Sequence, residues 1–333
     1  MIRLDQYWYG KHLLTFLLLP LSWIFCGLVL LRRKLYMAGI LHSTGFPVPV
    51  IVVGNITVGG SGKTPLVGAL VHWLQAQGFK PGIVSRGYGG RARHWPQQVR
   101  PDSDPQMVGD EPVMLSRNCK VPMAVAPDRV SAVQALLSHS ECDVIISDDG
   151  MQHYRLARDL EIAVVDGIRR FGNGFCLPAG PLREPQGRLR TVDFVVSNGL
   201  AMRMEFPMEV TATHVVNLVT GEQQPLEYFR GHHGVHAVAG IGFPGRFFAY
   251  LRKQGLQIVE HPFPDHYAYK DTDLEYGDDC TVIMTEKDAV KCARYALANA
   301  WYMPVTAHLD DRFILSFRAK LDKIIKQKQQ QQS

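Results

Sequence analysis

Residues 48–64 read VPVIVVGNITVGGSGKT, and this stretch decides the fold. The apolar, mostly β-branched run 48–53 predicts a strand that is buried on both faces of a parallel sheet. Three glycines follow, and a helix is predicted to begin near Pro65, so that its first N–H groups point into the loop. Such a loop binds a polyphosphate. The sequence therefore predicts an α/β fold with a P-loop NTPase-like parallel sheet and a nucleoside triphosphate site.

The glycine loop also predicts individual contacts. Lys63 would reach the β- and γ-phosphates, and the Thr64 hydroxyl would bind Mg²⁺. The loop departs from the GxxxxGK[ST] pattern because Thr57 replaces the first glycine, and Val58 stands where a deviant class of P-loop ATPases has a lysine. The run TEKD at 285–288 lacks the spacing of the guanine-selecting NKxD box, so adenine is the preferred base. The candidate ATP-binding residues in the loop are Thr57, Val58, Gly59, Gly60, Ser61, Gly62, Lys63 and Thr64.

Length and composition set the outer limits. A chain of 333 residues is expected to form two domains, and a net charge of +5 is too small to indicate a nucleic-acid partner. The six cysteines are scattered without a CxxC pair, which predicts reduced thiols in a cytosolic compartment. They are Cys26, Cys119, Cys142, Cys176, Cys280 and Cys292.

An uncharged apolar segment lies near the N-terminus. Residues 13–31 read LLTFLLLPLSWIFCGLVLL, which is long enough to cross a bilayer core as a helix. Arg32, Arg33 and Lys34 follow directly, which favours a cytoplasmic location for the rest of the chain. Membrane attachment is predicted, but the sequence leaves open whether the helix spans the bilayer or lies on it.

Charged residues mark three further loops. The run DVIISDD at 143–149 predicts a buried strand that delivers Asp148 and Asp149 to the Mg²⁺ beside the P-loop. In GDEP at 109–112, spacing alone allows Asp110 to be either a helix N-cap or a catalytic carboxylate. The glycine-rich, basic loop 86–93, which contains Tyr88, is interpreted as a substrate loop rather than an RNA-binding element.

The pattern changes near residue 200. We expect a β-ribbon linker over 200–228, a smaller α/β domain over 229–320 and a disordered tail over 321–333. The second domain contains a GxGxxG match at 240–245 followed by Glu260, so a dinucleotide site is an alternative function. His266, in the loop FPDHY, lies next to a carboxylate and is by itself more often a structural histidine.

Taken together, the motifs resemble one family. The chain contains, in order, NITVGGSGKTP, SRGYGG, GDEP, PDR, DDGMQH, LPAGPLREP, AGIGFPGRFF, FPDHY and TEKDAVK. This series is similar to that of the tetraacyldisaccharide 4′-kinases of lipid A biosynthesis, over roughly residues 1–318. The resemblance implies transfer of the γ-phosphate of ATP to the 4′-hydroxyl of an acylated glucosamine disaccharide 1-phosphate at the cytoplasmic face of the inner membrane. It also implies two α/β domains (a P-loop domain over 36–199 and the smaller one), a two-stranded β linker and a membrane-associated helix within 1–35.

The resemblance also implies roles for individual residues. Asp110 would be the general base and His266 its partner, with Lys63 at the phosphates. Mg²⁺ and the phosphates would be surrounded by Asp148, Asp149 and Glu184, while Arg129 and Arg183 would meet anionic groups. Met151 and Ser61 depart from the commonest family pattern without affecting these roles. Two alternatives stay open: an ATP-driven switch protein, which would leave no phosphorylated lipid, and a dinucleotide-dependent reductase.

Overall fold

The computed structural model describes residues 5–10, 12–232, 234–276 and 281–332, so Cys280 lies outside the described residues. A large first sheet contains the P-loop strand. Its strands are β1 (Val50–Gly54), β2 (Pro81–Ser85), β3 (Gln97–Gln98), β4 (Met123–Val125), β5 (Val144–Asp148), β6 (Leu160–Asp166), β7 (Phe194–Asn198), β8 (Phe206–Thr211) and β15 (Thr306–Leu309). They are ordered β15-β8-β7-β6-β1-β5-β2-β4-β3. Only the two edge strands, β3 and β15, pair antiparallel within this sheet, which confirms the predicted parallel α/β architecture.

Helices cover both faces of the first sheet. The helices of the chain are α1 (Asp5–Trp8), α2 (Leu13–Met37), α3 (Lys63–Ala76), α4 (Pro105–Val108), α5 (Asp110–Cys119), α6 (Arg129–His139), α7 (Pro244–Lys253), α8 (Glu286–Cys292) and α9 (Asp311–Gln332). Helices α3, α5 and α9 bury apolar side chains against one face, whereas α6 and part of α2 pack on the other. Since β1 is fully buried between these layers, its β-branched residues suit both of its faces.

A second, smaller sheet follows in the chain. Its strands are β9 (His214–Asn217), β10 (Gln223–Pro225), β11 (Val235–Ala239), β12 (Ile258–Pro262), β13 (Val282–Thr285) and β14 (Ala300–Met303). They are ordered β10-β9-β14-β13-β11-β12, and the three pairings among β11 to β14 are parallel. Helix α7 packs on one face through Phe247, Phe248 and Leu251. This sheet is the predicted second α/β domain.

The linker is built differently from the prediction. A ribbon within 200–228 would pair β8 with β9, but β8 pairs instead with β15, from Thr211 opposite Thr306 to Met208 opposite Leu309. Strand β9 belongs to the second sheet, where it contacts β10 and β14. The chain therefore crosses between the sheets twice, after β8 and before β15. The sequence indicated two strands here but not that the partner of the first lies about a hundred residues away.

The predicted disordered tail is wrong. Helix α9 runs through it, and Phe313, Phe317, Leu321 and Ile324 are buried in the core of the first sheet. Their spacing of four, four and three residues places them on one helical face. The prediction of disorder rested on the glutamine-rich end of the chain and did not take account of this short apolar stripe. The C-terminal segment 306–332 thus returns to the P-loop domain, and the predicted second domain ends too late.

Helix α2 is the one described helix that is long and apolar enough to cross a membrane, by length and composition. One of its faces contacts the protein along its whole length. Before the helix begins, Trp8 of α1 donates through Nε1 to the carbonyl of Pro178 at 3.1 Å, and in the middle of α2 Ser22 Oγ donates to the carbonyl of Cys176 at 2.7 Å. Toward its end, Arg33 donates to Thr191 Oγ1 at 2.7 Å. The opposite face is an exposed apolar stripe that includes Leu13, Phe16, Leu17, Leu21, Ile24, Leu28 and Leu31.

Candidate active site

A cleft of about 1100 Å³ lies between the two sheets and opens beside α2. From the first sheet it is lined by the P-loop and the start of α5. From the second sheet it is lined by residues 241–243 after β11, by the loop containing His266 and by the start of α8. Phe25, Val29 and Arg32 of α2 also line it. Because β1 and β5 are parallel, their carboxyl ends bring the P-loop and the acidic pair to the same edge.

The P-loop connects β1 to α3, with Gly62 as the N-cap residue of the helix. Gly59 and Gly62 have φ angles of 97° and 96°, a region that L side chains rarely adopt. A Cβ at Gly62 would also lie 2.5 Å from the Asn198 side chain. Asn55 holds the loop from below by donating to the carbonyl of Gly59 and to Ser61 Oγ. The N–H groups of the loop are therefore held facing the cleft.

The departure at Thr57 has a structural reason. Thr57 forms an antiparallel bridge with Leu182, and the N–H of Val58 donates to the carbonyl of Pro181 at 2.8 Å. This part of the loop is extended, so a β-branched residue replaces glycine without strain. Thr57 is buried behind the loop, whereas residues 58–64 line the cleft. Among the predicted ATP-binding residues, Thr57 thus supports the loop from outside the cleft lining.

The two carboxylates after β5 differ in their surroundings. Asp149 has a φ of 50°, and its carboxylate lies 3.0 Å from Arg183 and 3.6 Å from Lys63 Nζ. Burial alone would raise the pKa of Asp149, but the charges of Lys63 and Arg183 outweigh it and hold that pKa below its usual range. Asp148 is buried, and burial together with Glu111 and Asp149 raises its pKa to about 7. A cation beside Asp148 would favour its ionised form.

The residues present fit Mg²⁺. Within the described ranges, no cluster of three or more His, Cys, Asp and Glu side chains is arranged to hold a metal unaided. However, Asp148 Oδ1 is buried without a hydrogen-bond partner, and Thr64, in the first turn of α3, lines the same cleft as Asp149. Hydroxyl and carboxylate oxygens are the hard ligands that Mg²⁺ uses alongside nucleotide phosphates.

Glu184 has polar partners of its own. Its side chain is 1% exposed and accepts hydrogen bonds from Gln152 Nε2, at 2.8 Å, and from the Tyr154 hydroxyl. Arg188 lies 3.4 Å from the same carboxylate. Both oxygens accept hydrogen bonds inside a buried polar cluster. The expected position of Glu184 beside the metal and phosphates stays a prediction. The neighbouring Arg183 does line the cleft and pairs with Asp149.

Arg129 is almost fully buried and supports the backbone at the end of β5. Its guanidinium donates to the carbonyl of Ala126 at 3.1 Å and to the carbonyls of Asp148 and Asp149 at 3.4 Å. It reaches the cleft wall from this position. The expected contact with an anionic group can therefore involve only the edge of this side chain, because most of its donors hold the chain around the acidic pair.

Asp110 and His266 meet across the cleft. Asp110 is the first residue of α5, after the N-cap residue Gly109, so the N-cap alternative for Asp110 is wrong. Its Oδ2 lies 3.2 Å from Nδ1 of His266, which comes from the other domain and has a φ of 59°. Left-handed backbone at such residues is typical of functional sites. The Tyr88 ring lies 4.9 Å from the His266 ring and is largely exposed at the mouth of the cleft.

The pKa values of this pair move in opposite directions. Burial alone would raise the pKa of Asp110, but the contact with His266 and the charge of Lys287 outweigh it and lower that pKa. The contact with Asp110 raises the pKa of His266, against burial and the nearby charge of Lys287. Asp110 is consequently ionised at neutral pH, as a proton acceptor must be.

Sequence reasoning missed Lys287, the central cation of this side of the cleft. Its ammonium lies 2.9 Å from Glu111, 3.1 Å from Asp265 and 3.9 Å from Asp110 Oδ2. It also lies 3.4 Å from Nε2 of His266. Burial lowers the pKa of Lys287, but Glu111, Asp110 and Asp265 outweigh it and raise that pKa, so the lysine is charged. The run TEKD was interpreted as a failed base-selecting box and as part of a family motif, and neither interpretation gave Lys287 a contact with Asp110 or His266.

Two more missed residues hold the P-loop from the side. The Asn198 side chain donates to the carbonyl of Ser61 at 3.3 Å and accepts from Arg246 at 3.1 Å. Arg169 donates to the carbonyl of Gly60 and pairs with Asp166 at 2.9 Å. Asn198 ends β7, and Asp166, the partner of Arg169, ends the parallel strand β6. These strand-end positions were the one signal that could have identified Asn198 and, through Asp166, Arg169.

Known proteins share this sequence and fold. The family model described as LpxK, tetraacyldisaccharide-1-P 4′-kinase, matches residues 14–325. The tetraacyldisaccharide 4′-kinase of Nitrosococcus oceani is 51% identical over 323 residues, which cover 97% of this chain and 95% of the relative. That of Pasteurella multocida is 46% identical over 325 residues, covering 96% of this chain and 99% of the relative.

A solved structure agrees with this match. A crystal structure of LpxK from Aquifex aeolicus in complex with ATP has a TM-score of 0.79 and 29% identity, and the likeness covers 94% of this chain and 100% of that one. The matched residues 14–325 include the P-loop, the acidic pair, Asp110 and His266. Since the family model and close relatives span nearly the whole length, this chain belongs to the tetraacyldisaccharide 4′-kinase family.

Proposed function

We propose that this chain transfers the γ-phosphate of ATP to the 4′-hydroxyl of a tetraacyldisaccharide 1-phosphate, with Asp110 as the general base. Family membership supports the reaction and its place in lipid A biosynthesis. The observation that carries the assignment of the base is the contact of Asp110 with His266 at 3.2 Å, in the same cleft as the P-loop. A carboxylate in this position can accept the proton of a sugar hydroxyl while that hydroxyl attacks the γ-phosphorus.

His266 and Lys287 orient the base. Lys287 is an ammonium and can only donate, so the nitrogen of His266 that faces it, Nε2, is the acceptor when the ring is neutral. The ring proton then resides on Nδ1, which faces Asp110 Oδ2. Asp110 is thereby fixed in one orientation, and its second oxygen accepts the N–H of Glu111 at 3.0 Å. A general base held in this way contributes roughly 10²–10⁴-fold to the rate.

The other residues bind the phosphates. Positioning and charge neutralisation provide most of the acceleration in phosphoryl transfer. The N–H groups of residues 59–64 and the ammonium of Lys63 supply donors at the P-loop, and Arg183 adds charge beside it, where it pairs with Asp149. Mg²⁺, held by Thr64 and by Asp148 and Asp149, would neutralise charge between the β- and γ-phosphates when it is bound.

The active site is completed only when the two sheets approach each other. The P-loop and Asp110 belong to the first sheet, whereas His266 and Lys287 belong to the second. Contacts such as Lys287 with Glu111 at 2.9 Å and Asn118 with Glu286 at 2.8 Å hold the halves together. We therefore assign these contacts to a closed state, in which water is excluded from the γ-phosphate.

One assay tests the reaction. The protein is incubated with γ-labelled ATP, Mg²⁺ and a detergent-dispersed tetraacyldisaccharide 1-phosphate, and the lipid products are analysed by mass and by label. We expect label at the 4′-position, and no labelled lipid from a control disaccharide whose 4′-hydroxyl is blocked. Release of inorganic phosphate alone, stimulated by a protein partner, would instead favour the ATP-driven switch.

We further propose that α2 lies on the cytoplasmic face of the inner membrane rather than spanning it. The contacts of Ser22 and Arg33 tie the middle and the C-terminal part of the helix to the rest of the protein, and Trp8 of α1, five residues before α2, contacts the same body. A helix that crossed the bilayer would have to pull that body into hydrocarbon, where its polar loops could not be hydrated. The exposed stripe of leucines instead suits immersion in the interface.

Labelling of the two helix ends distinguishes these arrangements. Single variants His12→Cys and Met37→Cys, at exposed positions outside the stripe, are expected to react with a membrane-impermeant thiol reagent from the cytoplasmic side alone, in inside-out inner-membrane vesicles. The parent chain, with its native cysteines, sets the background. Reaction of one end only in right-side-out vesicles and of the other only in inside-out vesicles would show a spanning helix.

A further inference from the structure

Two neighbouring loops outside the active site expose an apolar patch. One loop follows β6 and contributes Ile168, which is 69% exposed. The other follows β7 and contributes Leu200, Met202 and Met204, which are 75%, 61% and 87% exposed. We call these four side chains the loop patch. Isolated apolar residues on a surface are ordinary, but four of them on two touching loops are not.

The two loops form one ordered unit. A Cβ at Gly167 would lie 2.5 Å from the backbone of Leu200, so the loops are in direct contact. Arg170 of the first loop donates twice to Glu205 of the second, at 2.8 Å and 2.6 Å. The loop patch is therefore held on a fixed support, rather than exposed by a loosely attached segment.

Several polar groups of these loops are paired within the loops themselves or with the ends of β6 and β7. The Glu205 carboxylate also accepts the N–H of Met202 at 2.9 Å, and the carbonyl of Leu200 accepts the Ser197 hydroxyl at 2.7 Å. The N–H of Ile168 donates to Asp166 at 3.0 Å. Groups paired in this way do not oppose transfer of the loop into a less polar medium. The apolar side chains can enter such a medium at low cost.

The loop patch adjoins the segment that leads into α2. The guanidinium of Arg169, next to Ile168, lies 5.8 Å from the ring of Tyr9. The N–H of Asn173, in the same loop, donates to the carbonyl of Trp8 at 2.7 Å. Four residues after Tyr9, the exposed stripe of α2 begins at Leu13, which is 87% exposed. The loop that contributes Ile168 thus contacts the segment that precedes the exposed stripe.

From this continuity we infer that the loop patch is a second membrane-contact surface, whose occupant is the lipid bilayer. The inference rests on the proposed function, in which the substrate is a lipid and α2 lies on the membrane. Arg203, exposed between Met202 and Met204, can extend its charged end to phosphate headgroups while its neighbours enter the acyl region. Two contacts, one at α2 and one at the loop patch, fix the orientation of the cleft toward the membrane.

Vesicle partition of the full chain tests this. In the patch variant, Leu200, Met202 and Met204 are all replaced by glutamate. The matched control replaces Val219, Tyr228 and Val259, exposed residues of the second domain, by glutamate. We expect the patch variant to bind vesicles of phosphatidylethanolamine and phosphatidylglycerol about tenfold more weakly or worse, since three apolar contacts are lost. The affinity of the control for the same vesicles should fall by less than roughly twofold, which is the effect of its added negative charges alone.

Two further readouts separate this inference from the proposed function. The patch variant should keep its activity on detergent-dispersed substrate, which shows that the fold and the reaction are intact. Fluorescence added by Met202→Trp should be quenched by lipids brominated in the upper acyl chain, and fluorescence added by Val219→Trp should not. Unchanged partition of the patch variant, or no quenching at residue 202, would overturn the inference while leaving the kinase reaction standing. A patch variant that instead loses self-association would identify a second copy of the chain as the occupant.

Discussion

Replacing Lys63 by alanine is expected to lower kcat by on the order of 10³-fold or more, the loss typical of a donor that stabilises developing charge. Lys63 begins α3 at the P-loop, and its ammonium lies 3.6 Å from Asp149 in the cleft. In the proposed reaction it neutralises the phosphates as charge moves toward the leaving group. Its loss also removes the largest influence that lowers the pKa of Asp149. Both effects act on the same step, so activity should fall far more than stability.

The measurement is single-turnover transfer from γ-labelled ATP, together with the thermal unfolding midpoint. Lys80→Ala is the matched control, because Lys80 belongs to the same domain but forms only an exposed ion pair with Glu141 at 2.8 Å. An exposed pair contributes little to stability, so this control should turn over like the parent chain. Turnover of Lys63→Ala within a few-fold of the parent would exclude Lys63 from the phosphate site.

The parts of this site that sequence could predict are local ones. The P-loop and the strand ending at Asp148 follow from short runs whose apolar pattern, glycines and charges lie within twenty residues. The parallel sheet follows as well, since buried β-branched strands alternate with helices. Each of these features depends on residues that are close together in the chain, so the sequence alone could predict it.

The parts that could not be predicted depend on distant residues. Asp110 and His266 were linked only through the family resemblance, because no periodicity connects positions 156 residues apart in the chain. Lys287 contacts Glu111 across 176 positions. The same holds for β8, whose antiparallel partner is β15, and for α9, which packs on a sheet formed mostly by the first half of the chain. Long-range packing, rather than local preference, decides each of these.

Side-chain direction is a separate limit. The resemblance places Glu184 in a loop beside the phosphate site, and the loop does lie there, as the pairing of its neighbour Arg183 with Asp149 demonstrates. Glu184 itself turns inward to Gln152, Tyr154 and Arg188. Adjacent residues of an extended loop point to opposite sides, and a sequence gives no means of deciding which side is which. The same limit applies to Arg129, whose donors hold backbone carbonyls.

The second large effect is expected at Asp110. Asp110→Asn keeps the size of the side chain but removes its capacity to accept a proton, so kcat should fall by roughly 10²–10⁴-fold. Binding of ATP should change little, because Asp110 faces His266 and Lys287 rather than the P-loop. Single-turnover transfer and ATP titration measure the two quantities. Near-parental turnover of Asp110→Asn would remove it from the role of base.

The pH dependence adds a test of the same assignment. Asp110 has a lowered pKa, so its contribution to stability is present above its ordinary value of 3.8 and is lost as the pH falls through the lowered value. His266 has a raised pKa, so its contribution is complete below 6.5 and is lost as the pH rises through the raised value. The pair therefore stabilises the closed cleft most between pH 3.8 and 6.5, and the base remains ionised throughout the neutral range.

Lys287→Met should move the acid limb of kcat/KM to higher pH, because the variant loses one of the positive charges that lower the pKa of Asp110. Lys287→Arg should restore part of the parental profile. Lys291→Met is the matched control, since Lys291 is also buried and lies one turn further along α8, where it pairs with Asp288 at 2.8 Å. Both methionine variants lose a buried ion pair and so lose stability. If Lys287 only stabilised the fold, the two variants would share one pH profile. We expect the larger shift with Lys287→Met, because the ammonium of Lys287 lies 3.9 Å from Asp110 Oδ2 and lowers the pKa of Asp110 more than the charge of Lys291 does.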